Sequence, residues 1–170
     1  APAGQADAPL PVMVYLHGGA FTIGAGGNYD PSRLASEHNR IIVTVNFRLG
    51  ALGWLAHPDL ADGVNPVGGN WGLMDQQAAL LWVRTNISAF GGDPRNVTLF
   101  GESTGAWSAC YLMASPGSEG LFQRVILQSG PCLEPTSLNA VSDVAADGVA
   151  FARSVGCGDA AVADCLRRTP

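Results

Sequence analysis

Two long apolar runs in the first third of the chain set the expectation about its fold. Residues 12–17 and 41–47 are nearly continuous stretches of apolar, often β-branched side chains, and such runs are typical of strands buried on both faces. Residues 97–100 and 124–128 are shorter runs of the same kind. Because helical patterns alternate with these runs, the chain is predicted to be an α/β protein with a mostly parallel sheet flanked by helices.

The clearest predicted helix covers residues 73–85, between the second and third strands. Five residues recur there at i, i+4, i+7, i+8 and i+11, which places them on one side of a helix. They are Met74, Ala78, Leu81, Trp82 and Thr85. This side is therefore expected to pack against the sheet. Asn70 is a suitable cap for the start of the helix, and a final helix is expected over residues 142–155.

A short motif between a strand and a helix points to nucleophilic chemistry. The segment Gly101-Glu102-Ser103-Thr104-Gly105 follows the apolar run 97–100 and opens the small-residue stretch 106–114. A serine with one glycine two residues before it and another two residues after it, on a sharp strand-to-helix turn, is a nucleophile elbow. The turn strains the serine backbone, and a side chain at either glycine would strike the neighbouring strand or helix. The motif predicts Ser103 as a catalytic nucleophile.

A second glycine motif, His17-Gly18-Gly19, directly follows the first predicted strand. In acyl transfer the carbonyl oxygen becomes negative, and backbone N–H groups aimed at that oxygen stabilise the tetrahedral intermediate. Paired glycines leave their N–H groups open to a substrate. Gly18, Gly19 and Thr104, the residue after the nucleophile, are therefore the candidate oxyanion-hole donors. The alternative interpretation is a plain glycine turn, and the nucleophile motif downstream argues against it.

Composition narrows the remaining classes of function. The 170 residues are 47% hydrophobic, which is ample for a core, and no apolar run approaches the roughly 20 residues that cross a membrane. All nine basic residues are arginine and the net charge is −5. The chain thus lacks the lysine of a Walker phosphate loop and the basic cluster that nucleic acid requires. Residues 24–27 are rich in glycine, as in a dinucleotide-binding loop. Tyr29 occupies the position of the third glycine of that motif, so a dinucleotide-binding loop is not expected.

Several segments, in a fixed order, resemble one family. They are residues 17–21, 46–50, 69–76, 89–94, 96–103 and 128–130. Together they are similar to type-B carboxylesterases, the α/β-hydrolase family that includes the cholinesterases and the bacterial para-nitrobenzyl esterases. The resemblance implies hydrolysis of small-molecule esters through a covalent acyl-serine, without a metal or an organic cofactor.

The resemblance also implies roles for three charged residues. In the family the position of Glu102 is buried near the active site and shapes its electrostatic field; a merely structural acid is the alternative. Arg48 and Asp75 resemble a buried ion pair that ties the loop after the second strand to the following helix, and two separate surface charges are the alternative. A guanidinium can donate to both carboxylate oxygens. If the pair is buried, removing one partner leaves an uncompensated charge and is expected to cost about 3–5 kcal/mol.

Four cysteines are present, and the resemblance pairs two of them. Cys157 and Cys165 match a family disulfide, whereas Cys110 and Cys132 are expected to be buried free thiols. No C-x-x-C spacing occurs and the histidines lie far from the cysteines in sequence, so a metal site is not expected. A single inferred disulfide favours an exported protein without assigning a compartment.

The order of catalytic residues bears on how much of an enzyme the chain contains. In α/β-hydrolases the nucleophile is followed by an acid and then by a histidine, but His17, His38 and His57 all precede Ser103. The C-terminal acid and histidine are therefore expected to be missing, and the resemblance implies that an N-terminal sheet region before His17 is missing as well. Residues 1–170 are thus expected to be a partial domain that is inactive alone. The second functional class is a non-catalytic esterase-like adhesion or binding domain. Such relatives typically lack the nucleophile, so Ser103 favours the enzyme.

Overall fold

A four-stranded parallel sheet forms the centre of the computed structural model, which describes residues 8–63, 65–133, 139–158 and 160–169. The strands are β1 Leu10–Leu16, β2 Ile41–Thr44, β3 Gly92–Glu102 and β4 Arg124–Gln128. Their order in the sheet is β2-β1-β3-β4, and all three neighbouring pairs are parallel. The predicted α/β fold class is therefore confirmed. β2 is shorter than the apolar run that predicted it, because residues 45–47 leave the ladder after Thr44.

Helices connect these strands and cover the sheet. In the described ranges they are α1 Ser32–Glu37, α2 Gly50–Trp54, α3 Trp71–Asn86, α4 Thr104–Ala114, α5 Val141–Ser154 and α6 Val162–Arg168. The predicted helices over 73–85 and 142–155 correspond to α3 and α5, whereas α6 was not predicted. None of the described helices has the length and apolar character needed to span a membrane.

The main core lies on one face of the sheet. Alternate residues of β1 and β3 point to this face, where α3 and α4 cover them. The fully buried members include Val12, Val14, Leu16, Val97, Leu99, Leu80, Val83 and Leu112. Burial of a Val or Leu side chain contributes roughly 1.5–3 kcal/mol to the free energy of unfolding, so packing on this face stabilises the positions of β1 and β3.

The predicted packing side of α3 is wrong. Leu81 and Trp82 keep 56% and 47% of their surface exposed, while the buried residues of the helix are Gly72, Gln76, Leu80 and Val83. The buried side contains a polar residue, Gln76, whose amide nitrogen donates to Ser108 Oγ on α4 at 3.2 Å. Asn70 precedes the helix in a left-handed conformation (φ 60°) and makes no side-chain cap hydrogen bond.

Both pairs of cysteines are joined. The Cys157–Cys165 bond that the resemblance implies is present, with an S–S distance of 1.98 Å, and it lies in a small second core of α5 and α6. Cys110 and Cys132 also form a disulfide, with Cα atoms 5.3 Å apart, so the expectation of free thiols is wrong. The cause is tertiary: the loop after β4 returns across α4, where Gly130 lies against the Ser103 carbonyl and Ala106.

Candidate active site

Ser103 lies in the turn between the end of β3 and the start of α4. Its backbone dihedrals are φ 53° and ψ −123°, a conformation that strains any residue other than glycine. The Ser103 amide donates to the Gln128 carbonyl at 2.8 Å, which ties the turn to the end of β4. Its side chain is half-buried. The strain expected of a nucleophile elbow is thus present at the serine itself.

The two glycines of the motif stand where the chain has no room for a side chain. A Cβ on Gly101 would lie 2.4 Å from the Gly105 backbone, and one on Gly105 would lie 2.1 Å from the Leu16 carbonyl oxygen. Real Cβ contacts are essentially never shorter than 3.0 Å. The turn can therefore be this sharp, and α4 this close to β1, only with glycine at both positions.

The His17-Gly18-Gly19 loop meets the turn at the end of the sheet. Leu16 of β1 pairs with Gly101 of β3, so the residues that follow each strand emerge side by side. A Cβ on Gly18 would lie 3.0 Å from Ser103 Cβ and 2.8 Å from Glu102 Oε2. Gly18 is buried and Gly19 half-buried. The structure thus places the Gly18 main chain beside the Glu102 carboxylate and the serine, with no room for a side chain between them.

Thr104 and Glu102, the two residues on either side of Ser103, have distinct surroundings. Thr104 is the first residue of α4 and is buried, and N–H groups in the first turn of a helix have no intrahelical acceptor. Glu102 is half-buried, less enclosed than the resemblance implies. Burial raises the pKa of Tyr15 well above its ordinary value, and Tyr29 and the Glu102 charge raise it further. Tyr15 therefore remains a neutral phenol near this carboxylate.

Sequence reasoning missed the environment of the His17 side chain. It is 1% exposed, and its ring stacks on Phe47 with centroids 4.4 Å apart and an interplanar angle of 11°. Its Nδ1 lies 2.7 Å from the Gly18 carbonyl oxygen. The glycines of the motif predict open backbone N–H groups, and nothing in the spacing indicates which way the imidazole turns.

The other two histidines, His57 and His38, make no hydrogen bond to Ser103 in the described part of the chain. His57 is buried, and its Nδ1 accepts a hydrogen bond from the Asp59 amide at 3.0 Å. His38 follows α1 and is exposed. Within the described residues, no histidine nitrogen forms a hydrogen bond with Ser103. The geometry thus offers a strained serine and neighbouring backbone amides, without a base in hydrogen-bond contact.

Arg48 and Asp75 form the ion pair that the resemblance implies. Arg48 Nη2 and Nε donate to the two oxygens of Asp75 at 2.7 and 2.8 Å, and the Arg48 amide adds a third bond at 2.9 Å. These hydrogen bonds lower the pKa of Asp75 despite its partial burial. The expectation of a buried pair is wrong, because the side chains remain 50% and 28% exposed. The pair fastens the segment after β2 to α3.

An apolar cavity adjoins the glycine loop. It has a volume of about 440 Å³ and lies between residues 20–22, α2 and α5. Phe21 and Trp54, whose ring centroids are 4.4 Å apart, form one wall, and Phe151 lines another part. The residues directly after the candidate oxyanion donors therefore contribute to an apolar recess.

The parallel sheet and the strained strand-to-helix serine define an α/β-hydrolase fold. Comparison with known proteins agrees, because a solved thermophilic para-nitrobenzyl esterase superimposes with a TM-score of 0.84 at 43% identity, covering 96% of this chain and 32% of that protein. The model of the carboxylesterase family matches residues 1–170. The chain belongs to the carboxylesterase family.

Two curated relatives show the breadth of that family. Para-nitrobenzyl esterase of Bacillus subtilis is 52% identical over 139 residues, which cover 81% of this chain and 28% of the esterase. Neuroligin-3 of Mus musculus is 50% identical over 129 residues, which cover 76% of this chain and 15% of that protein. The chain thus spans less than a third of the length of these two relatives.

Proposed function

We propose that this chain carries the nucleophile and the oxyanion hole of a carboxylic ester hydrolase that acts on small-molecule esters through an acyl-serine. The observation that carries the proposal is the strained Ser103 beside the Gly18 main chain, where an added Cβ would lie 3.0 Å from the serine Cβ. Membership of the carboxylesterase family supports the same class of reaction.

In the proposed reaction, Ser103 Oγ attacks the ester carbonyl carbon and passes its proton to a general base. The carbonyl oxygen becomes an oxyanion, which the N–H groups of Gly18, Gly19 and Thr104 stabilise at about 2.7–3.1 Å. Collapse of this intermediate expels the alcohol and leaves the acyl-serine, which water then hydrolyses. Glu102 contributes a negative charge beside the nucleophile, where it favours the cationic form of the base.

The general base is proposed to lie outside these 170 residues. In support, the three histidines precede Ser103 in sequence, and in the described part of the chain none is hydrogen-bonded to it. A serine without an adjacent base keeps its proton near neutral pH and is a weak nucleophile. The isolated chain should therefore show no turnover of p-nitrophenyl acetate above background. Turnover that disappears in Ser103→Ala would contradict this assignment.

The test of the nucleophile uses the full-length protein and the same substrate. Ser103→Ala should remove turnover and labelling by a fluorophosphonate, because both need the serine oxygen. Ser36→Ala, at an exposed position of α1, is the control and should behave as wild type. Equal rates for Ser103→Ala and wild type would refute the proposal.

A second candidate is the non-catalytic esterase-like binding domain, and the similarity to neuroligin-3 keeps it in consideration. The labelling experiment separates the two candidates. A full-length protein that folds but neither turns over esters nor reacts with the fluorophosphonate would favour the binding domain.

A further inference from the structure

We propose that the buried imidazole of His17 is a positioning residue, which fixes the peptide plane between Gly18 and Gly19 and thereby aims the Gly19 N–H into the oxyanion hole. The catalytic consequence rests on the proposed function, whereas the geometry can be tested without it. The starting observation is the 2.7 Å contact between His17 Nδ1 and the Gly18 carbonyl oxygen.

One hydrogen bond to this carbonyl sets the direction of the next amide. A peptide group is planar and trans, so the C=O of Gly18 and the N–H of Gly19 point in opposite directions. The described residues contain no cis peptide bond. The Gly18 oxygen faces Gly24, where an added Cβ would lie 2.7 Å from it, while the Gly18 Cα faces Ser103. The Gly19 N–H is thus directed away from Gly24.

A peptide plane between two glycines needs such a constraint. Neither residue has a Cβ, and Gly19 already has a positive φ of 116°, so rotation of this plane meets little steric resistance. The carbonyl of Gly19 is held separately, by the amides of Thr22 and Ile23 at 3.0 Å each. His17 supplies the corresponding restraint for the preceding carbonyl.

The imidazole itself has little freedom to move. One face stacks on Phe47, and Gly24 packs so closely that a Cβ there would lie 2.5 Å from Nδ1. The ring is 1% exposed, so water cannot easily replace its hydrogen bond. A donor with this rigidity transmits its orientation to the carbonyl it holds.

The surroundings also determine which nitrogen of His17 carries the proton. A carbonyl oxygen only accepts hydrogen bonds, so Nδ1 must be the protonated nitrogen. Nε2 is buried without a partner among the described residues, and as the unprotonated nitrogen it leaves no N–H unsatisfied. In the other tautomer the Nδ1 lone pair would face the Gly18 carbonyl oxygen, and the Nε2 N–H would be buried without an acceptor. Both changes are unfavourable.

The functional test compares two substitutions in the full-length enzyme. His17→Asn places an amide N–H near the position of Nδ1 and should keep kcat within about threefold of wild type. His17→Phe keeps a flat ring against Phe47 without a donor. Since loss of one oxyanion donor lowers kcat by about 10²–10³, His17→Phe should lose up to that factor with little change in KM. Equal kcat values for the two variants, whether both high or both low, would overturn the proposal.

A second measurement does not depend on activity. In the [¹⁵N]histidine-labelled protein, the His17 signals, assigned by their absence in His17→Asn, should show a protonated Nδ1 and a bare Nε2. A proton on Nε2 with a bare Nδ1 would overturn the proposal even if His17→Phe fails to fold. If the wild-type enzyme hydrolyses no ester, the proposed function fails, while the tautomer still decides the geometry.

Discussion

Replacing Gly105 with alanine should destabilise the protein, although alanine is normally the better residue inside a helix. The new Cβ would lie 2.1 Å from the Leu16 carbonyl oxygen and 2.9 Å from the His17 carbonyl oxygen. Ordinary van der Waals contact begins at 3.4 Å, so α4 and β1 would have to separate by roughly 1.3 Å to reach even that limit. Both obstacles are main-chain atoms, which cannot rotate out of the way.

The size of the effect follows from two opposing terms. Alanine gains at most about 1 kcal/mol over glycine at this second residue of α4, which is the value for a helix interior, whereas overpacking of a well-packed site costs about 1–3 kcal/mol or more. Because the clash at Gly105 is severe, the upper end applies, and the free energy of unfolding should fall by about 2 kcal/mol net. With a urea m-value of about 2 kcal/mol/M, the midpoint should drop by about 1 M.

Urea unfolding followed by circular dichroism measures this change, with Gly27→Ala as the matched control. A Cβ at Gly27 meets nothing within 4 Å, so this variant should be as stable as wild type or gain up to about 1 kcal/mol. A midpoint for Gly105→Ala equal to or above that of wild type would refute the close approach of α4 to β1.

Three further predictions concern stability, each measured by urea unfolding. The pKa of Asp75 is lowered in the folded state, so the ionised carboxylate stabilises the fold above the ordinary aspartate pKa of 3.8, and this stabilisation is lost as pH falls through the lowered value. Asp75→Asn should therefore make the free energy of unfolding fall less steeply in acid. An unchanged dependence of that free energy on pH would contradict the pairing. Cys132→Ser opens a loop with a sequence separation of 22, and Cys165→Ser opens one with a separation of 8. In the chain-entropy model the free energy of unfolding should fall by about 3.4 and 2.5 kcal/mol, respectively. A larger loss for Cys165→Ser than for Cys132→Ser would count against the Cys110–Cys132 bond. On α3, Leu80→Ala should cost about 2–5 kcal/mol and Leu81→Ala under about 0.5 kcal/mol; similar losses would contradict the assigned buried side.

The strained turn at Ser103 could be predicted from sequence because the Gly-x-Ser-x-Gly pattern lies within five consecutive residues. The Gly101 and Gly105 positions are dictated by contacts within one turn of chain and with the strand beside it. The parallel sheet could be predicted because continuous apolar runs are typical of strands in parallel sheets, although β4 remains largely exposed in the described structure. A five-residue motif and a continuous apolar run can both be recognised in a short window of sequence, even though Gly105 contacts Leu16 far away in sequence.

The buried side of α3 could not be predicted, because it depends on a partner far away in sequence. Gln76 is polar and does not count towards an apolar pattern, yet its hydrogen bond to Ser108 makes it a core residue. Leu81 and Trp82 have the right spacing for a core and lie on the outside. Helical periodicity fixes the spacing of a buried side but not which of two similar sides is buried.

The Cys110–Cys132 bond was missed for a related reason. The two residues lie on different elements and meet only because the loop after β4 packs across α4. Among four cysteines, sequence alone cannot determine the pairing. The orientation of His17 belongs to the same class, since it depends on Phe47 in the segment that follows β2.

The backbone of Ser103 has a consequence for how this sequence can drift over generations. Its φ of 53° and ψ of −123° belong to a region where glycine is free of the strain that costs other residues about 1–3 kcal/mol. At this position selection for a durable fold and selection for a reactive hydroxyl favour different residues. A lineage that does not need the proposed nucleophile would gain stability by Ser103→Gly, so the serine is expected to persist only while the proposed chemistry is under selection.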